Sequence, residues 1–75
     1  MRGTKFSVIG MGKYGRSIAQ ILSDRGAEVI AIDNREEYIE EVEDIVALAV
    51  TMDATDGKAL ESQNIHESDA VVVAI

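Results

Sequence analysis

The sequence predicts an α/β fold: a parallel sheet with crossover helices in the order β-α-β-α-β-α-β. Three observations carry this. Four short apolar runs begin near residues 5, 28, 47 and 70, spaced by 23, 19 and 23 residues. Segments with helical hydrophobic spacing fill the intervals, an alternation that calls for parallel strands. The last three runs are apolar throughout rather than alternating, as strands covered on both faces should be. Right-handed crossovers, with helices divided between the two faces, then give a Rossmann-like sheet with strand order 3-2-1-4.

Each element has its reason. Lys5-Phe6-Ser7-Val8-Ile9 is a strand-like run stopped by Gly10. Over residues 13–25, Tyr14, Ile18, Ile21 and Leu22 fall at i, i+4, i+7 and i+8, which predicts a helix with those four on one apolar face. Gly26 is its natural stop. Residues 28–32 form a second strand, closed by Asp33-Asn34, and residues 35–44 a second helix with Tyr38, Ile39 and Val42 on its apolar face. Residues 47–51 form a third strand. Thr55 is placed to cap a third helix running to about residue 63, with Asp56 in its first turn. The apolar face of that helix is thin, Ala59 and Leu60 with Ile65 just beyond, and Asp69 leads into a fourth strand over 70–75.

A chain of 75 residues is one small domain at most, with a correspondingly small core. Its composition, 47% hydrophobic and 28% charged, is that of a globular chain. The absence of cysteine excludes disulfides and thiolate metal sites. No apolar run approaches the roughly 18 residues of a membrane span, and the start does not read as a signal peptide, so a soluble, intracellular chain is expected. The net charge of −7 argues against nucleic acid. Residues 1–26 nevertheless carry +4 and residues 27–75 carry −11, so an anionic ligand belongs on the first quarter of the chain. Six acids in residues 36–44 have the spacing of the solvated side of an amphipathic helix rather than of a metal site.

The chemistry lies in Gly10-Met11-Gly12-Lys13-Tyr14-Gly15, a G-x-G-x-x-G that follows a strand and opens a helix. Asp33 ends the next strand, eighteen residues after Gly15. That context makes the pattern a dinucleotide fingerprint. Gly10 permits the turn, Gly12 lets backbone approach a pyrophosphate, and Gly15 lets the helix pack closely on the sheet. Free N–H groups at the helix start bind phosphate, with Lys13 and Arg16 adding charge. The alternative is a glycine-rich turn needed only for packing.

Asp33 is placed for the adenosine ribose hydroxyls and opposes a 2′-phosphate, an effect that Arg35 would partly offset. Asp33 can also cap the second helix. Asn34 adjoins it, and Asp53-Ala54, past the third strand, borders the adenine position or else forms a capped loop. Met11 and Tyr14 can touch a ligand, although packing accounts for Tyr14 equally well. Tyr14 stands where a Walker A loop would need Ser or Thr. His66 has no second His or Cys to join it. The sequence offers no nucleophile–base pair with a third orienting group, no paired carboxylates in a shared turn and no metal cluster, which points to a nucleotide sensor rather than an enzyme.

The runs 8–15, 29–33, Asp53-Ala54-Thr55-Asp56 and 68–75 resemble the N-terminal lobe of the RCK/KTN (TrkA-N) family, cytosolic regulators of bacterial Trk and Ktr potassium uptake systems and of several potassium channels. The resemblance runs from about residue 5 to 75. It implies a Rossmann lobe binding NAD(H) or ATP/ADP, assembled into rings, typically octameric, beneath a membrane pore. Carried over by position, Gly10, Gly12 and Gly15 match the phosphate loop and Asp33 the ribose acid. Asp53 and Ala54 match the adenine-side pair, and Ala74 and Ile75 the strand end beside the ligand. Lys13 stands where the family often has Arg, and Met52 where it usually has Gly. The chain therefore reads as the N-terminal part, residues 1–75, of such a domain, apparently truncated, in a regulatory subunit that gates a potassium transporter. Its last strand would be an unprotected apolar edge inviting a second copy or a partner chain. The competing reading is the cofactor half of an NAD-dependent oxidoreductase that lacks its substrate domain.

Overall fold

The computed structural model describes residues 2–62 and 67–74. Strands β1 (Lys5–Ile9), β2 (Glu28–Asp33), β3 (Leu48–Thr51) and β4 (Ala70–Val73) alternate with helices α1 (Lys13–Asp24), α2 (Glu36–Val42) and α3 (Gly57–Ser62). The four strands make one sheet in the order β3-β2-β1-β4, every neighbouring pair parallel. The expected α/β Rossmann-like topology is therefore present, strand order included.

Register follows from burial. Phe6 pairs with Val29 and Val8 with Ala31, which puts Val8, Val29 and Ala31 on one face under α1 and α2. Ile39 and Val42 of α2, Ala19 of α1 and Met11 of the glycine loop close this core. Ile32 and Ser7, on the opposite face, are also fully buried. The Ser7 hydroxyl is satisfied there by the hydroxyl of Ser68, as a buried polar group requires. At the start of β4, Asp69 clips β1: its carboxylate accepts the Lys5 N–H at 2.7 Å, and its own N–H donates to the Lys5 carbonyl.

Helix α1 ends as its glycine predicts. Gly26 adopts φ 85°, its N–H donates to the Ser23 carbonyl, and the Ala27 N–H donates to that of Leu22. This 5→2 and 6→1 pair is the Schellman stop, for which glycine is favoured. The face of α1 differs from the periodicity reading. Gly15 and Ala19 are its buried residues, with Ile18 and Leu22 flanking them, whereas Tyr14 is 75% exposed and Ile21 54% exposed. The helix approaches the sheet too closely for large side chains along its centre, so the small residues face inward.

Helix α3 begins one residue later than expected, at Gly57, and its cap is Asp56 rather than Thr55. The Asp56 carboxylate accepts the Lys58 N–H at 3.0 Å, the bond an N-cap makes to the second helical residue. The expectations for the side chains of Ala59 and Leu60, and for Ile65, His66 and Ile75, lie outside the described residues.

Candidate functional site

Parallel strands with helices on their faces leave a crevice at the carboxyl ends of the strands. Here that crevice is a cleft of about 410 Å³ lined by Ile9, Gly10, Gly12, Asp33, Asn34, Arg35, Tyr38, Asp53, Ala54, Thr55 and Ala74. Its floor is the strand ends, one wall is the glycine loop entering α1, and the others are the β2–α2 and β3–α3 turns.

The glycines divide their work. Gly10 turns the chain off β1 at φ 99°, a conformation that disfavours side chains. Its N–H donates to the Ile32 carbonyl at 2.7 Å, continuing the β1–β2 ladder into the loop. A Cβ on Gly15 would overlap the Gly10 carbonyl and touch the Ala74 side chain at 3.4 Å. Gly15 thus locks loop, helix and β4 end together. Gly12 is different: it is the N-cap of α1 with φ −63° and ψ −172°, and a Cβ there would meet nothing within 4 Å. The protein leaves that space open, on the cleft side of a helix start with no side-chain cap. The first N–H groups of a helix have no intrahelical partner, and the dipole makes them an anion-binding end.

Asp33 is bound by backbone on both carboxylate oxygens. Oδ2 accepts the Met11 N–H at 2.7 Å and Oδ1 the Arg35 N–H at 2.8 Å. It ties the glycine loop to the β2–α2 turn. The reading of Asp33 as the cap of α2 is corrected: Arg35 occupies the N-cap position, without a side-chain cap, and the carboxylate reaches only its N–H. The first turn of α2 carries Glu36 and Glu37, which suit the positive end of its dipole.

On the far wall, Asp53 accepts the Thr55 N–H at 2.9 Å and the Thr55 hydroxyl at 2.6 Å. These bonds, the hydroxyl first, lower the pKa of its carboxyl below the ordinary value. The capped-loop alternative for Asp53 is therefore realised, in a turn that also lines the cleft.

Of the residues singled out in the sequence, Gly10, Gly12, Asp33, Asn34, Arg35, Asp53, Ala54 and Ala74 meet at the cleft. Four do not line it. Met11 is 1% exposed and packs in the core; Gly15 is buried beneath the Gly10 carbonyl; Lys13 and Tyr14 are exposed on the outside of α1. Arg16, expected to add charge for phosphate, instead pairs with Glu41 of α2. The cleft also takes in Ile9, Tyr38 and Thr55, which the sequence does not mark as lining residues. The apolar spacing of the sequence places Tyr38 on the packed face of α2, and it does touch the core. Its position three residues after Arg35 was the available signal, since such pairs share a helix face.

Fold and cleft together define a Rossmann-like α/β lobe organised around a glycine loop. The TrkA-N domain model matches residues 6–75, and the chain belongs to that family. It is 41% identical over 71 residues to the Ktr system potassium uptake protein C of Bacillus subtilis, covering 95% of this chain and 32% of that protein. It is 36% identical over 75 residues to the Ktr system potassium uptake protein A of Bacillus subtilis, covering 34% of that protein. It is 36% identical over 64 residues to the Trk system potassium uptake protein TrkA homolog of Pyrococcus abyssi, covering 84% of this chain and 28% of that one. The chain thus spans about a third of the length of the curated relatives it matches. Among the described residues no helix is long and apolar enough to cross a membrane, and no group of three or more metal-binding side chains gathers.

Proposed function

We propose that residues 1–75 form the N-terminal part of a nucleotide-sensing lobe in a potassium-uptake regulator, with an adenine nucleotide, NAD(H) or ATP/ADP, as the ligand of the cleft. Gly10 and Gly12, with the α1 start, receive the phosphates, Asp33 and Asn34 the ribose, and Asp53 and Ala54 the adenine side. Ala74 closes the floor. The observation that carries this reading is the space left open beside Gly12 at an uncapped helix start.

The lobe acts as a sensor and not as a catalyst, in keeping with relatives named for potassium uptake. It works on the cytoplasmic side of a transporter's membrane subunit, as one copy in a homo-oligomeric ring. A nucleotide moves such a gate only by its difference in affinity for the two ring states. Met11 and Asp33 supply a physical lever for that difference. The Asp33 carboxylate that would take the ribose hydroxyls already holds the Met11 N–H, so ligand and loop share one anchor.

Gly12→Ala tests the reading. A methyl group at Gly12 enters open space at an ordinary φ, so it leaves the fold intact. The cost is confined to capping, about 1 kcal/mol. Isothermal titration with ADP, ATP and NADH should show saturable binding to the natural chain and a loss of at least about tenfold in Gly12→Ala, the size of a 1.4 kcal/mol penalty. Equal binding by both chains would place the nucleotide elsewhere. Binding by neither would reduce the glycine loop to a packing device.

A further inference from the structure

Tyr38 holds Arg35. The guanidinium lies 5.3 Å from the centre of the Tyr38 ring, and its Nη1 donates to the phenol oxygen at 3.1 Å. Both side chains line the cleft beside Asp33 and Asn34. The Asp33 carboxylate is fixed in place by the Met11 and Arg35 N–H groups and cannot swing aside without breaking both bonds. A fixed acid at this strand end favours a ribose with free hydroxyls, whereas a nearby arginine accommodates a 2′-phosphate. This chain carries both residues, two positions apart. Their opposing preferences are settled by where the guanidinium rests.

We propose that Tyr38 is a positioning residue that sets the nucleotide class of the cleft: by holding the Arg35 guanidinium against its ring and hydroxyl, it withholds that cation from the 2′ position, and the cleft selects adenine nucleotides with a free 2′-hydroxyl. The proposal rests on the adenine-nucleotide reading above. A 2′-phosphate would have to draw Arg35 off the ring, giving up the face contact and the phenol hydrogen bond, before gaining its charge. It would meanwhile face the pinned Asp33 carboxylate. A ribose hydroxyl asks for neither movement.

The test compares ADP with 2′-phospho-ADP, which differ only at the position in question. Wild-type chain should prefer ADP. In Tyr38→Ala the ratio of affinities should move toward 2′-phospho-ADP by about fivefold, the amount that an exposed ring–cation contact and one hydrogen bond can withhold. Tyr38→Phe keeps the ring and loses the hydroxyl, so its shift should be about twofold, and it carries the test if Tyr38→Ala does not fold. Adding Arg35→Ala to either variant should return the ratio to its wild-type value, because the freed cation is then gone. A general loosening of α2 would weaken both ligands and leave their ratio unchanged.

ADP binding with an unmoved ratio in both Tyr38 variants overturns the proposal and leaves the cleft assignment standing. A shift that survives loss of Arg35 also overturns it. Failure of the wild-type chain to bind ADP removes the cleft assignment, and this proposal with it.

Discussion

The two halves of this lobe are built from the same βα units and differ sharply in how they are held. Every buried residue among those described lies between Ser7 and Val42, in β1-α1-β2-α2. Past Val42, β3 and β4 contribute half-exposed strands, with Leu48 at 46%, Val71 at 45% and Val73 at 65% exposure. Central strands carry covered faces on both sides, whereas β3 and β4 are the sheet's two edges. The cleft spans the divide. Gly10, Gly12 and Asp33 belong to the packed half, and Asp53, Ala54, Thr55 and Ala74 to the lightly packed one. A ligand there would bridge a rigid wall and a wall set mainly by turns.

The largest effect that separates the halves is core truncation. Ile32 is fully buried, so Ile32→Ala should cost about 2–5 kcal/mol, a large share of the roughly 4–11 kcal/mol expected for a domain of this size. The matching edge change, Val73→Ala, should stay within about 0.5 kcal/mol. Paired urea melts would check this, and similar losses in both variants would abolish the contrast.

Next comes Gly15→Ala. Its methyl group would overlap the Gly10 carbonyl, and relieving such overpacking typically costs about 1–3 kcal/mol. Gly12→Ala should cost less, and the order of the two melting temperatures is the measurement. A reversed order would mean that the loop yields more readily than its hydrogen bonds imply.

The smallest effect sits on the soft wall. Asp53 has a lowered pKa in the folded chain because Thr55 donates to it twice. Its contribution is therefore full above the unfolded carboxylate value of about 3.9, and it is lost as pH falls through the lower folded value. Thr55→Val removes the hydroxyl donor and keeps the backbone one. The gap in melting temperature between variant and wild type should be widest near neutral pH and close as acid protonates Asp53. A gap constant with pH would assign the effect to packing instead.

The topology was legible because strand spacing, apolar continuity and crossover handedness leave few alternatives at this length. Family and glycine loop were legible for a related reason, since backbone geometry dictates glycine at fixed positions. The packed face of α1 was not. Periodicity counts Tyr14 and Ile21 as equal to Ile18 and Leu22, yet close approach to the sheet selects for size, and Gly15 and Ala19 face inward. The Asp33 bonds to Met11 and Arg35 were equally hidden, because a loop's hydrogen bonds depend on how two distant turns converge. Arg16 shows the same limit from the other side. Its charge suited a phosphate, but the packing of α1 beside α2 delivered it to Glu41.

The position of β1 in the sheet has a consequence for how the molecule comes into being. Phe6 meets Val29 after 23 residues of chain but meets Ala70 only after 64. During synthesis, β1 and β2 can pair early around α1, and α2 can dock on them, while the other edge of β1 waits with its amides and carbonyls unsatisfied. Pairings this distant in sequence form late and slowly, and an open strand edge in the interval is a template for another chain. The Asp69 clip on Lys5 and the Ser68 contact with Ser7 then gain a kinetic meaning. They stand at the entrance to β4, where contacts that register the last strand before it zips toward the glycine loop would shorten the time in which nascent chains can mispair.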